Sequence, residues 1–268
     1  MLDILLLPFI QRALLSGIMV AILLGTLGVF VNIRSLSFLG DGIAHASLAG
    51  IALAIFVGWM PTPTALVLSV ILAVGIFAME RYSRISADTA IGILFTTGMA
   101  IGVVLLHFTP GFQPELISFL FGNILAIQTQ DIIITLSVGL PIFILIIILS
   151  KRLTFALLDE DGAYLSGLTP SRYILTLYIL TSLAIVLSIK LIGIVLVSAL
   201  LITPTAISQT LSKTFFSFQW QSVLWACLVV IFGILASVLL DLPSGASIIL
   251  IGTMFFVLSL LWSHFLDK

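Results

Sequence analysis

A carboxylate and an imidazole stand four residues apart in Ser37-Phe-Leu-Gly-Asp-Gly-Ile-Ala-His-Ala-Ser-Leu-Ala-Gly50. They are Asp41 and His45. On a helix rising ~1.5 Å per residue, that spacing puts both side chains on one face, ~6 Å apart along the axis. The surrounding residues are apolar or small enough for a membrane span. A charged group at the bilayer centre costs roughly 2.5–3.5 kcal/mol on insertion scales, so a pair kept there is expected to serve a function. A hard oxygen beside a borderline nitrogen suits a divalent transition metal.

The elements that position this pair follow from composition. The chain has 268 residues, 61% hydrophobic and 8% charged, with a mean hydropathy of +1.36. A soluble domain carries about 25% charged residues, so this is an all-α polytopic membrane protein. Nine apolar stretches approach the ~20 residues that cross the hydrocarbon core: 9–32, 36–58, 63–80, 90–108, 131–150, 172–189, 191–210, 221–240 and 245–264. No charge-rich linker divides them, which predicts one integral membrane domain over 1–268. Period-two alternation is absent, arguing against a β-barrel. A net charge of −1 disfavours nucleic acid as a partner. The single cysteine, Cys227, excludes an internal disulfide and any thiolate cluster.

Basic residues set the orientation. With the loop between Lys151 and Arg172 inside, Arg34, Arg81, Arg84, Lys213 and Lys268 also fall inside, leaving only Arg12 and Lys190 outside. The N-terminus is then external. Trp59, Trp220 and Trp262 fall at predicted span ends, where aromatic belts form. Three features modify the simple pattern. Segment 36–58 is rich in Gly and Ala, which permits close helix packing. Segment 113–126 is apolar but too short to span, and reads as an external half-helix. Pro204 lies inside span 191–210 and is expected to kink it, with Thr hydroxyls nearby to satisfy freed backbone groups. The longest inner loop, about 157–170, predicts a short surface helix: Asp159 as N-cap, Glu160 and Asp161 in the first turn, Tyr164 and Leu165 displayed, Gly167 at the C-terminal cap. Such a helix is a natural docking element for a cytoplasmic partner.

Five stretches, in order, resemble the permease subunit of the zinc- and manganese-type metal-ion ABC importers (the ABC-3 family). They are Leu36–Leu48 around Asp41 and His45, Asp88–Gly92, Leu120–Ala126, Gly193–Thr205, and Asp241–Gly245. The resemblance implies a vitamin-B12-importer-like (type II ABC importer) fold in a bacterial cytoplasmic membrane. It implies two copies of the permease around a central pathway, two ATPase subunits docked on the short helices (Asp159, Glu160, Asp161, Tyr164, Leu165, Gly167), and an extracytoplasmic solute-binding protein. The chain has no Gly-x-x-x-x-Gly-Lys-[Ser/Thr] loop, so ATP hydrolysis falls to a partner rather than to this chain. No permanent cofactor is expected; Zn2+ or Mn2+ is cargo, with zinc favoured by the local wording around Asp41 and His45.

One chain offers two ligands there, too few for a tight tetrahedral site, so a two-fold axis is expected to join two pairs. The competing role is a structural polar pair between helices. Asp241 either guides the metal from outside or caps span 245–264. Asn123 and Glu115 face the delivery side, as pathway residues or simply solvated ones. Asp88, after Ser86, reads as a helix cap, and His107 and His264 read as interfacial. An intramembrane protease lacks its motifs here: Phe38 replaces the first Gly of Gly-x-Gly-Asp, and His-Glu-x-x-His is missing. A proton-coupled secondary metal transporter is the stronger alternative, although it leaves the docking-like loop without a role.

Overall fold

The computed structural model describes residues 7–83, 85–109 and 127–266, with side chains to 263. All regular structure among these residues is helical. The long helices are α1 (Pro8–Ile33), α2 (Leu39–Val57), α3 (Pro61–Tyr82), α4 (Ala87–His107), α5 (Thr129–Leu158), α7 (Pro170–Ile192), α8 (Ile194–Leu211), α9 (Phe215–Leu240) and α10 (Ser244–Leu266), with a short α6 (Glu160–Leu165) after α5. The nine long ones are each apolar and long enough to cross a membrane. A helix satisfies its own backbone groups, which is why a chain this poor in polar residues takes this form.

Two boundaries differ from the sequence expectation for a physical reason. The span expected at 131–150 continues to Leu158. Lys151 and Arg152 remain exposed on one side of the helix while Leu153, Ala156 and Leu157 are buried, so the charges do not end it. The span expected at 221–240 begins at Phe215, where the Thr214 side chain accepts from the Ser217 amide as N-cap. Trp220 therefore sits inside α9, and is exposed there, like Trp59 and Trp262. Pro204 lies within an unbroken α8, and the neighbouring Thr205 hydroxyl donates to the Leu201 carbonyl at 3.1 Å.

The helices gather into two compact units. One comprises the described residues within Ile33–Ile117 and Ile144–Leu187; the other those within Met1–Asn32, Ser118–Phe143 and Ser188–Lys268. In the first, α2 packs on α4 and α3. Small residues set that contact: a Cβ added at Gly98 would lie 2.8 Å from the Cα and Cβ of Ala46, and one at Gly50 would lie 3.0 Å from the Ala65 Cα. In the second unit, α8, α9 and α10 pack together. There α1 comes so close to α8 that a Cβ at Gly28 would collide with the Leu201 carbonyl. Buried Ser222 joins the same region, donating to the Gly25 carbonyl at 2.7 Å and lying 3.1 Å from the Thr205 hydroxyl.

Candidate metal site

Asp41 lies in the first turn of α2. The Phe38 position before the helix supplies no side-chain cap, so the positive helix end faces this region and favours a carboxylate. One turn on, His45 Nδ1 lies 3.0 Å from the Asp41 backbone carbonyl. A carbonyl only accepts, so Nδ1 is the donor in this contact, which leaves Nε2 of a neutral imidazole as the nitrogen open to a ligand. This is the tautomer a metal ligand requires, with its ring oriented by the second nitrogen. The Phe95 ring of α4 meets the imidazole edge-on, with centroids 5.3 Å apart at 88°.

Both side chains are half-buried and line an open cavity of about 350 Å³ with Phe38, Gly42, Asp88, Ile91, Gly92 and Phe95. Gly42 permits the wall to form, since a Cβ there would collide with the Ile91 side chain. Among the described residues, no group of three His, Cys, Asp or Glu side chains is assembled to hold a metal. One chain thus lines the cavity with the Asp41 and Asp88 carboxylates and the His45 imidazole without gathering the three into a metal-holding group.

Asp88 corrects its sequence reading. The cap of α4 is Ser86, whose hydroxyl accepts from the Thr89 amide at 3.2 Å. Asp88 lies in the first turn and lines the cavity with Asp41 and His45. Asp241 also differs from its expected cap role. It ends α9 with φ 52° and ψ 45°, its amide bonded to the Ser237 carbonyl. Asp tolerates this left-handed conformation better than most residues, so it terminates the preceding helix instead of starting the next. Its side chain is exposed. His107 is exposed at the end of α4, against Phe108. Asn123, Glu115, the rest of 113–126 and the His264 side chain lie outside the described residues.

The inner loop folds as its residues dictate. Asp159 accepts from the Gly162 amide at 2.8 Å as N-cap of α6, and Glu160 and Asp161 occupy the first turn. At the other end Gly167 adopts φ 82°. The Leu168 amide bonds the Ala163 carbonyl and the Gly167 amide bonds that of Tyr164, a Schellman closure. Tyr164 and Leu165 are 70% and 85% exposed.

A charge network that sequence reasoning missed surrounds this helix. Arg34, in the link between α1 and α2, reaches Glu80 at 2.9 Å and Glu160 at 3.0 Å, and Arg81 reaches Glu160 at 3.3 Å. The buried Tyr178 hydroxyl donates to Glu80 at 2.7 Å. Burial works against the Arg34 charge, but Glu80 and Glu160 outweigh it and hold its pKa above the ordinary value. Glu80, a carboxylate at the end of an apolar span, was the available signal. Elsewhere Lys190 in the last turn of α7 pairs with Asp131 at 2.6 Å in the first turn of α5.

Nine helices long and apolar enough to cross a membrane among the described residues, one of them carrying Asp41 and His45 near its start, define a multi-pass membrane protein. The chain belongs to the ABC 3 transport family, whose sequence profile matches residues 6–263. It is 35% identical over 255 residues to the manganese transport system membrane protein MntC of Halalkalibacterium halodurans, covering 95% of this chain and 87% of that one. It is 32% identical over 251 residues to the high-affinity zinc uptake system membrane protein ZnuB of Haemophilus influenzae, covering 92% and 95%. In structure it resembles PsaBC from Streptococcus pneumoniae, solved in complex with Fab, with a TM-score of 0.85, 33% identity, and coverage of 96% and 93%. The fold is the type II ABC importer permease fold expected from the motifs. The chain is a permease subunit of an ABC-type metal importer, in a bacterial membrane.

Proposed function

We propose that two copies of this chain form the pathway of an ATP-driven importer of divalent transition metal ions, with Asp41 and His45 of each copy making a transient site. The observation that carries this reading is the 3.0 Å contact of His45 Nδ1 with the Asp41 carbonyl, which leaves Nε2 of a neutral ring as the metal donor beside the Asp41 carboxylate on an open wall. A two-fold axis through that opening supplies up to four ligands from two chains. Residence there must be brief, because conduction needs release as well as entry. The short helix α6, with Tyr164 and Leu165 exposed, is the docking element for a cytoplasmic ATPase, and a solute-binding protein delivers the metal from outside. The 8:2 bias of basic residues supports a cytoplasmic α6.

Zinc is the first cargo and manganese the second. The affinity order at nitrogen and oxygen donors ranks zinc above manganese, while relatives are named for either metal. Uptake by the complex reconstituted with its ATPase and binding protein, at equal free zinc and manganese, tests this. Asp41→Ala and His45→Ala should each abolish uptake while the complex still assembles. Normal transport by both variants defeats the site assignment. Uptake that survives ATP depletion and collapses with the proton gradient favours a proton-coupled transporter instead.

A further inference from the structure

Arg34 occupies a junction that the metal site does not explain. It lies in the short link that leads into α2, the helix carrying Asp41 and His45. The next residue, Ser35, has φ 59° and is exposed, a left-handed conformation that few residues besides Gly, Asn and Asp adopt readily. The link is therefore a local bend whose geometry other contacts must hold. Arg34 makes such contacts. One guanidinium nitrogen bonds Glu80 Oε1 in the last turn of α3, and the other bonds Glu160 Oε1 in the first turn of α6. Arg81 Nη1 adds a bond to Glu160 Oε2. Glu80 is fixed from behind by the Tyr178 hydroxyl of α7, and Tyr178 packs edge-on against Phe77.

Two arginines and two glutamates balance in formal charge, so the cluster is internally neutralised. Isolated exposed ion pairs hold little. This one differs: the Arg34 and Glu80 side chains are only 23% and 20% exposed, and a planar fork spans two carboxylates on two separate elements. Displacing α6 alone would break charge-assisted bonds to both Arg34 and Arg81. Displacing α6 together with the link keeps them. Among the described residues, Arg34 bonds α6 directly to the link that leads into α2.

We propose that Arg34 is a positioning residue that transmits movement of α6 to the start of α2, and thereby sets the Asp41–His45 pair between its binding and releasing arrangements. The inference rests on α6 being the ATPase docking element. Loss of the fork should uncouple the two sites while leaving each intact.

The test uses the complete complex of permease, ATPase and binding protein in proteoliposomes, and reads metal ions imported per ATP hydrolysed. Arg34→Met and Glu80→Gln should still copurify the ATPase and hydrolyse ATP, with ions per ATP reduced about tenfold, within the usual range of coupling between sites. Arg34→Lys, which keeps the charge without the fork, should fall between. The double variant should be no worse than Arg34→Met alone, because the arginine change already removes the bond to Glu80. An unchanged ratio in Arg34→Met overturns the proposal. So does loss of ATPase copurification in that variant, since the network would then serve docking rather than transmission. Failure of the docking reading shows separately: the unaltered permease would then not bring down an ATPase.

Discussion

His45 is oriented by its own helix. The bond from Nδ1 to the carbonyl one turn back costs no other element a donor and fixes which nitrogen faces the cavity. His45→Gln separates the two duties of this residue. A glutamine amide can still donate to the Asp41 carbonyl, but it offers no imidazole lone pair. Metal affinity of the purified permease should fall at least about tenfold, roughly 1.4 kcal/mol, with the melting temperature unchanged; titration with zinc and a thermal melt read the two quantities. Unaltered affinity would remove His45 from the ligand set. The pair itself was legible in the sequence because a spacing of four is a local property of a helix. Asp88 was misread because its neighbours in the cavity come from α2, which only tertiary packing brings to α4. The cap reading of Asp241 failed because a single Asp before Leu-Pro-Ser-Gly suits either the end of one helix or the start of the next, and its backbone angles decide which.

Between elements, α2 is held close to α4 by the absence of side chains. A Cβ at Gly98 of α4 would sit 2.8 Å from both the Cα and Cβ of Ala46, the residue after His45. Neither atom can rotate away, so Gly98→Ala must push α4 off α2. Overpacking of this kind costs about 1–3 kcal/mol. The melting temperature in detergent should drop, and uptake should fall with it, because the displaced helix carries Phe95 and Asp88 into the same cavity. Gly245→Ala is the control: its Cβ would meet nothing within 4 Å, and alanine is the better helix former by up to about 1 kcal/mol. Equal melting temperatures for both variants would show that the contact is not tight. Spans and the capped α6 were legible because hydropathy and capping are local signals. The end of α5 was not, since Lys151 and Arg152 read as a terminus until the burial of Leu153 and Ala156 shows the helix continuing beneath them. The Arg34 network was also hidden, because its members are scattered over Arg34, Glu80, Arg81, Glu160 and Tyr178 and meet only in the fold.

For the whole molecule, the decisive quantity is how many chains share one ion. On the proposed reading each copy contributes the Asp41 carboxylate and the His45 imidazole, and among the described residues no third side chain is gathered with them into a metal-holding group. A second copy would complete four protein ligands, the set that tetrahedral zinc takes in its closed sites. The open wall between Phe38 and Phe95 is where the second pair would enter. Such sharing predicts a stoichiometry of one ion per two permease chains, measured by equilibrium binding to the complete complex held with its ATPase. It also predicts that complexes pairing one unaltered copy with one His45→Ala copy lose most of their affinity, since a three-donor site remains open to water. If each chain instead held its own ion, binding would reach one per chain, and the mixed complex would keep one intact site of full affinity. That result would leave the permease fold and family untouched while removing the two-fold metal site from the mechanism.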